Sequence, residues 1–437
     1  MILTSPIASG LAQRTGRRSP GRAAPIRVAF FLLSTGLWFA PAMAEGPAIP
    51  VGDGFTLRPI ADARLRWEHV DQDGLPEPAD ALTVRMRTGL EAASASGFSL
   101  LAEAEAVLPI VADYDSGTNG RTRFPIVADP INVELNRLQL RYRPREGYAG
   151  TLGRQRIEID DQRFVGSVGW RQNEQTYDAV RLEARSAPFS LDLSYAWSVR
   201  TIFGVTAQEL PPAAANKQAI HGDNVFAGAG ITLGPVQARA FAIIVDQDEA
   251  GRRQFSSQSY GLRATASIPL GEARLNLAGS YARQSDHAGN ASDYSADYWA
   301  LEAGGSLSGF TLTAGYEALG AGGGAPFTSF QTPLATLHKF NGWADKFLVT
   351  PPDGLRDLYF TLGHTFSELP MLPGLQAGIT WHQFRSDRLG RDYGSEWDAQ
   401  LGFRIRRARL LVKYANYDAD GFATDTEKIW LQLEWSL

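Results

Sequence analysis

The sequence predicts an all-β fold, an antiparallel up-and-down transmembrane β-barrel of about 18 strands. Three observations carry this: apolar and polar residues alternate with period two from residue 45 onward, connections are short and long in turn, and the N-terminus carries an export signal. The last ten residues show the pattern most plainly. In Lys428-Ile-Trp-Leu-Gln-Leu-Glu-Trp-Ser-Leu437, Ile429, Leu431, Leu433, Trp435 and Leu437 share one face, while Lys428, Gln432, Glu434 and Ser436 share the other.

The N-terminal element is a signal peptide. Arg14, Arg17, Arg18, Arg22 and Arg27 precede the apolar run 28–39, and Ala42-Met43-Ala44 supplies a small-x-small cleavage site. The run is shorter than the roughly 20 residues a spanning helix needs, so 1–44 reads as a cleaved signal and 45–437 as one barrel domain. Removing those five Arg leaves 37 basic against 47 acidic residues, a formal charge of -10. This acidic balance argues against a nucleic-acid partner. Cys is absent, so an exported chain of this kind relies on packing and hydrogen bonds without disulfides.

Strands are expected at 54–69, 80–93, 97–107, 132–143, 148–158, 176–186, 188–198, 222–233, 235–246, 256–268, 272–283, 294–306, 309–318, 355–366, 374–384, 395–406, 408–416 and 428–437. Short turns fall at 95–97, 144–147, 187–188, 234–235, 269–271, 308–309, 369–374 and 407–408. Longer loops occupy the alternate positions, the asymmetry of tight periplasmic turns and extended outer loops. Trp67, Trp197, Trp381, Trp397, Trp435, Tyr195, Tyr281 and Tyr414 lie near strand ends, as interfacial girdles require. The loop 319–350 carries Phe327, Phe330, Leu334, Leu337, Phe340, Trp343 and Phe347, too much apolar surface to stand in water. It is expected to fold over or into the barrel mouth.

Following the alternation inward gives the candidate pore lining: Arg64, Arg66, Arg85, Arg87, Arg137, Arg141, Arg154, Arg156, Arg181 and Arg404. Guanidinium grips carboxylates bidentately and keeps its charge on partial burial, so an Arg-lined pore suits an anionic solute. Inward acids, among them Asp62, Glu68, Glu91, Glu103, Glu105, Glu158, Glu183 and Asp398, offer these Arg structural partners as well. The acidic loop clusters at 71–73, 113–115, 246–249 and 418–420 have no regular Ca²⁺-ligand spacing and read as solvated charge.

No Ser/His or Asp/His constellation, Gly-x-Ser-x-Gly, His-Glu-x-x-His or phosphate-binding loop is present around the six His, so no catalytic residue, cofactor or metal is expected. Two segments, 153–180 (Gly153-Arg-Gln-Arg-Ile-Glu-Ile-Asp-Asp and onward) and 334–359 (Leu334-Ala-Thr-Leu-His-Lys-Phe-Asn-Gly-Trp and onward), resemble the alginate-export family of outer-membrane porins. That resemblance implies a monomeric barrel with an electropositive lumen that passes anionic polysaccharide. In and directly after the first segment it points to Arg154, Arg156 and Arg181. A diffusion porin for small organic anions, sugar acids or aromatic acids, fits the same lining. The partners expected are outer-membrane lipids, the barrel-assembly machinery during biogenesis and the anionic solute.

Overall fold

The computed structural model describes residues 46–437 except 368, 370, 371 and 373, so the signal peptide lies outside the described residues. A two-residue strand β1 (Ile49–Pro50) leans on β2 (Phe55–Gln72). The wall continues through β3 (Ala79–Ser94), β4 (Phe98–Asp113), β5 (Asn132–Arg145), β6 (Tyr148–Gln155), β7 (Thr176–Ser186), β8 (Phe189–Arg200) and β9 (Ala219–Leu233). It then runs through β10 (Val236–Val245), β11 (Ser257–Leu270), β12 (Ala273–Asp286), β13 (Ser295–Leu307) and β14 (Phe310–Leu319). The last strands are β15 (Leu355–Phe366), β16 (Leu375–Arg385), β17 (Asp392–Ile405), β18 (Ala408–Ala419) and β19 (Thr426–Ser436).

Each of β2 to β19 pairs antiparallel with its sequence neighbour, and β19 returns to β2 with Leu431 opposite Trp67. The result is a closed barrel of 18 long strands, which leaves no unpaired edge in lipid. The expected strands all appear, with their turns at one end and their long loops at the other. Most boundaries shift by one to three residues, and two have an evident cause. β4 runs on to Asp113, because a register shift at Leu82/Thr83 absorbs Pro109, which has no N–H to donate. β6 stops at Gln155, because Ile157 and Ile159 turn away from the ladder into a core inside the barrel. Arg156 and Glu158 therefore belong to the loop that follows.

The outward face is apolar between two aromatic tiers. Toward the long loops stand Trp67, Tyr195, Trp197, Tyr281, Trp299, Trp381, Trp397 and Tyr414; toward the turns stand Phe55, Phe98, Tyr142, Phe189, Phe310, Phe366 and Trp435. The second tier is mainly Phe, so the Trp and Tyr positions alone do not mark it.

The inward face behaves differently along its length. Near the turns it is polar and charged. Near the loops it becomes apolar on β9, β10 and β13, with Phe226, Phe241, Ile243, Val245 and Tyr298 packed against Ile157, Val165, Phe330, Leu334 and Phe347 of two loops, while Glu68, Glu396 and Lys428 keep it charged on β2, β17 and β19. The barrel's hydrophobic core thus sits inside the lumen and is built by loops 156–175 and 320–354. The expectation that the second of these folds inward is met.

Candidate functional site

Loop 156–175 crosses the lumen. It leaves β6, meets loop 320–354 at a parallel bridge between Val165 and Leu334, and is held there by Gly166 N–H donating to the Leu334 carbonyl (2.9 Å). Its Arg163 is fully buried and spends its fork on three residues, one of β14 and two of loop 320–354. Nε donates to Glu317 of β14 (2.6 Å), Nη1 to Thr332 (2.9 Å) and Nη2 to Asn341 (3.1 Å). Farther on, Trp170 stacks on His338 with ring centroids 4.6 Å apart, and Arg171 donates to Asp345 (2.9 Å).

A cage of Trp170, Trp343 and Trp430 encloses the Lys413 ammonium at 4.0, 3.6 and 5.3 Å from the ring centroids, joining both loops to β18 and β19. Burial holds the His338 imidazole well below the usual histidine range, so it is neutral at pH 7. In that state Nδ1–H donates to Asp345 and Nε2 accepts from Lys413, both at 2.8 Å.

The ten arginines named from sequence sort into two groups. Arg64, Arg66, Arg85, Arg87 and Arg137 are buried where wall meets loop. Arg64 and Arg66 both donate to the Trp170 carbonyl, at 3.0 and 2.5 Å, and Arg66 lies 4.0 Å over the Trp170 ring. Arg85 pairs with Asp62, and Arg87 with Glu105. In β5 a register shift leaves Asn136 unpaired with β4, so Asn136 and Arg137 both point inward onto Glu103, at 2.8 Å and a bidentate 2.9 and 2.7 Å. Of these five, Arg64, Arg66 and Arg87 hold the constricting loop through Trp170 and Glu174, while Arg85 and Arg137 pair with carboxylates of the wall.

Of the others, Arg141, Arg181 and Arg404 face the lumen and Arg156 lies in loop 156–175, but Arg154 does not line the pore as expected: it is the register partner of Leu138 and Asp178, on the face of the exposed Leu138, Leu152 and Val180, because Thr151 and Gln155 are the residues that β6 turns inward. Arg154 is bidentate on Asp178 (2.8 and 2.9 Å), Arg181 is bidentate on Asp192 (3.0 and 2.6 Å), and Arg141 donates to Glu183 (2.9 Å). Arg156 pairs with Glu174. Burial alone would raise the Glu174 carboxyl, but Arg156, Arg87 and Arg137 hold it down at about 2. Arg404 is exposed at the turn end of β17.

Arg239 of β10 was missed in the sequence. Its guanidinium lies over Gly228, where an added Cβ would stand 2.1 Å from Nη2, so only Gly leaves room for it. The inward run that follows it, Phe241, Ile243 and Val245, is apolar because the loops cover it, and this hid the strand's polar face.

Arg141, Arg181 and Arg239 form a row across β5, β7 and β10. Glu183 lies 2.9 Å from Arg141 and 3.8 Å from Arg181; Asp192 lies 2.6 Å from Arg181 and 3.9 Å from Arg239. Nε of Arg141 and Nε and Nη2 of Arg239 are buried and hydrogen-bond to no group of the protein. Asp160 and Asp161 of loop 156–175 approach the far end of this row, 3.7 Å from Arg239 and 2.9 Å from Arg263.

The opposite wall is acidic, and of its carboxylates only Asp398 was read from the sequence. Glu302, Glu317, Asp357, Glu396 and Asp398 come from β13, β14, β15 and β17. Tyr359 donates to Glu302 (2.6 Å), Tyr298 and Asn341 to Glu317 (2.7 and 2.6 Å), and the backbone N–H of Ala344 to Glu396 (2.7 Å). The β13–β17 wall thus carries a cluster of carboxyl groups with Arg404 at its turn end, whereas on the β2–β11 side guanidinium groups are interleaved with carboxylates such as Asp62, Glu103, Glu105, Glu183 and Asp192.

The family model described as alginate export matches residues 140–322, which bears out the resemblance over that range. It includes the first resembling segment and not the second. No curated protein matches the chain. Among solved structures, OpdO of Pseudomonas aeruginosa superposes with a TM-score of 0.66 at 15% identity, covering 87% of this chain and 97% of that one. OccK2 (OpdF) of the same organism, solved in complex with glucuronate, gives 0.63 at 16%, covering 87% and 98%. OpdK of that organism, solved with vanillate, gives 0.64 at 13%, with the same coverage. At this identity the likeness carries the fold, that of an outer-membrane porin.

Proposed function

We propose that this protein is a porin of the outer membrane that passes small carboxylated solutes, sugar acids foremost. The observation that carries this reading is the row Arg141, Arg181 and Arg239, whose side chains stay 32%, 14% and 20% exposed beside their carboxylates in a lumen narrowed by two loops. A carboxylate is drawn to the row by charge and by the bidentate fit of guanidinium, while the acidic wall repels it from the opposite side. The solved porins with bound glucuronate and vanillate support the substrate class through their shared architecture. The filled lumen favours a small solute over a polymer chain.

Export of an anionic polysaccharide is the second reading. The family match over residues 140–322 favours it, and it requires the two loops to leave the lumen. Both readings describe a channel without chemistry of its own.

The test is selectivity. The triple variant R141Q/R181Q/R239Q removes charge and keeps polarity, so its reversal potential in planar bilayers should move toward cations while the barrel remains heat-modifiable on gels. Wild-type anion preference should also weaken with salt, as screening sets in over about 10 Å at 0.1 M. A triple variant that keeps full anion preference contradicts the assignment of the row.

A further inference from the structure

On the outward face at the long-loop end, the charges carried by strands are mostly acidic: Asp71, Asp80, Asp223, Asp418 and Glu427. Several serve as acceptors for the aromatic tier. Trp67 donates to Asp80 (3.2 Å), Tyr195 to Asp223 (2.6 Å), Tyr281 to Asp297 (2.8 Å) and Tyr414 to Glu427 (3.1 Å).

β15 and β16 depart from this pattern. Arg356 and Arg385 are register partners, directly opposite one another, and their side chains are 46% and 60% exposed. Like charges so placed destabilise a sheet pair. Arg388, in the loop after β16, adds a third guanidinium. The neighbouring carboxylates do not cover them. Asp387 takes Nε of Arg356 at 2.8 Å, Asp392 stands 3.9 Å from Arg385, and Asp353 takes Arg388 at 2.6 Å, yet each carboxylate is less exposed than the guanidinium it meets.

Below the arginines the face turns aromatic. Phe360 stacks on Trp381 at 6.1 Å, and Trp381 lies 6.5 Å from Trp397. Leu358, Leu362 and Ile379 continue the apolar band. From Arg356 to Phe360 is about 13 Å along the strand, at roughly 3.3 Å per residue. A cationic tier thus stands a headgroup's depth above an aromatic one.

We infer that this face of β15 and β16 docks the phosphorylated headgroup of an outer-leaflet glycolipid. Arg356 and Arg385 grip phosphate oxygens, and Phe360, Trp381 and Trp397 cover the start of the acyl chains. Phosphate between the two guanidiniums relieves their mutual repulsion. The inference rests on the barrel standing in an outer membrane, and not on which solute it passes.

The test is lipid retention by the purified barrel in detergent micelles, read by native mass spectrometry. The probes are bisphosphorylated lipid A, dephosphorylated lipid A and phosphatidylglycerol. Wild type should retain the bisphosphorylated form about tenfold better than the dephosphorylated one. R356Q/R385Q should lose that preference, while R283Q, which removes an exposed Arg elsewhere on the rim, should keep it. Unchanged single-channel conductance in R356Q/R385Q shows that the barrel is intact, which separates loss of lipid binding from loss of the channel. Equal retention of both lipid A forms by wild type, preference for phosphatidylglycerol, an unchanged R356Q/R385Q, or equal loss in R283Q would each overturn the assignment.

Discussion

Arg163 shows how much one side chain holds. It is buried, it ties loop 156–175 to Glu317 on the opposite wall, and it reaches Thr332 and Asn341 of the second loop. Arg163→Met leaves the Glu317 carboxylate buried without its cation, a loss on the order of 3–5 kcal/mol. The cost should fall on loop docking, since strand ladders close the barrel independently. A heat-modifiable variant with noisier, larger single-channel currents is the expected result; wild-type current traces would contradict it. Phe330 tests the apolar half of the same joint. It is fully buried beside Tyr298 and Phe164, with centroids 5.3 and 5.9 Å away, and Phe330→Ala should cost about 3–5 kcal/mol of docking, read as a lower temperature of loop release. Gly342 is a third such point: its φ is 84°, and a Cβ there would stand 2.2 Å from a Glu396 carboxylate oxygen. The residue scale is also where the sequence said least. Inward Arg of β2 to β7 could be named from alternation except at β6, where Arg154 faces outward, and their division into loop anchors and lumen-facing groups depends on where two distant loops fold.

Among elements, strands and turns were legible, and so was the inward fold of loop 320–354, but the course of loop 156–175 across the lumen was not. Gly and Pro fix the tight turns, as at Gly234-Pro235 and Ser308-Gly309, and lipid on one side and water on the other enforce period two near the turn end. Near the loop end the inner face meets protein instead of water. There Phe226, Ile243 and Tyr298 break the alternation, and strand ends such as those of β4 and β6 were misplaced. Apolar content alone foretold that loop 320–354 turns inward. Deleting residues 321–345 should therefore raise single-channel conductance, whereas an unchanged value would mean that the loop does not obstruct the path. The latch at His338 adds a pH dependence. The docked loop holds the imidazole neutral, while a released loop protonates near 6.5, so docking is fully favoured above that pH and weakens by about 1.4 kcal/mol per unit as pH falls below it. Wild-type channels should open to larger conductances more often at pH 5 than at pH 7.5, and His338→Gln should remove the difference. An identical pH response in that variant would assign the effect to another group.

At the scale of the whole molecule, an acidic protein carries a lumen with an arginine-rich wall, because charge is sorted by place. Acids are concentrated in the long loops and on the β13–β17 wall, and Arg on the inner faces of β2 to β11. Net charge alone hides the inward arginines; the alternation of individual strands points to them, apart from Arg154, which faces outward, and Arg239, which it missed. Barrel closure through β19 and β2 predicts a β-rich circular dichroism spectrum and a heat-dependent gel shift. The central claim, that the lumen passes small carboxylates, is tested most directly by the reversal potential of the wild-type channel across a gradient of sodium glucuronate. A potential of the sign set by glucuronate permeation is the predicted result. A potential set by Na⁺ would show that the arginine row does not govern permeation and would contradict the account.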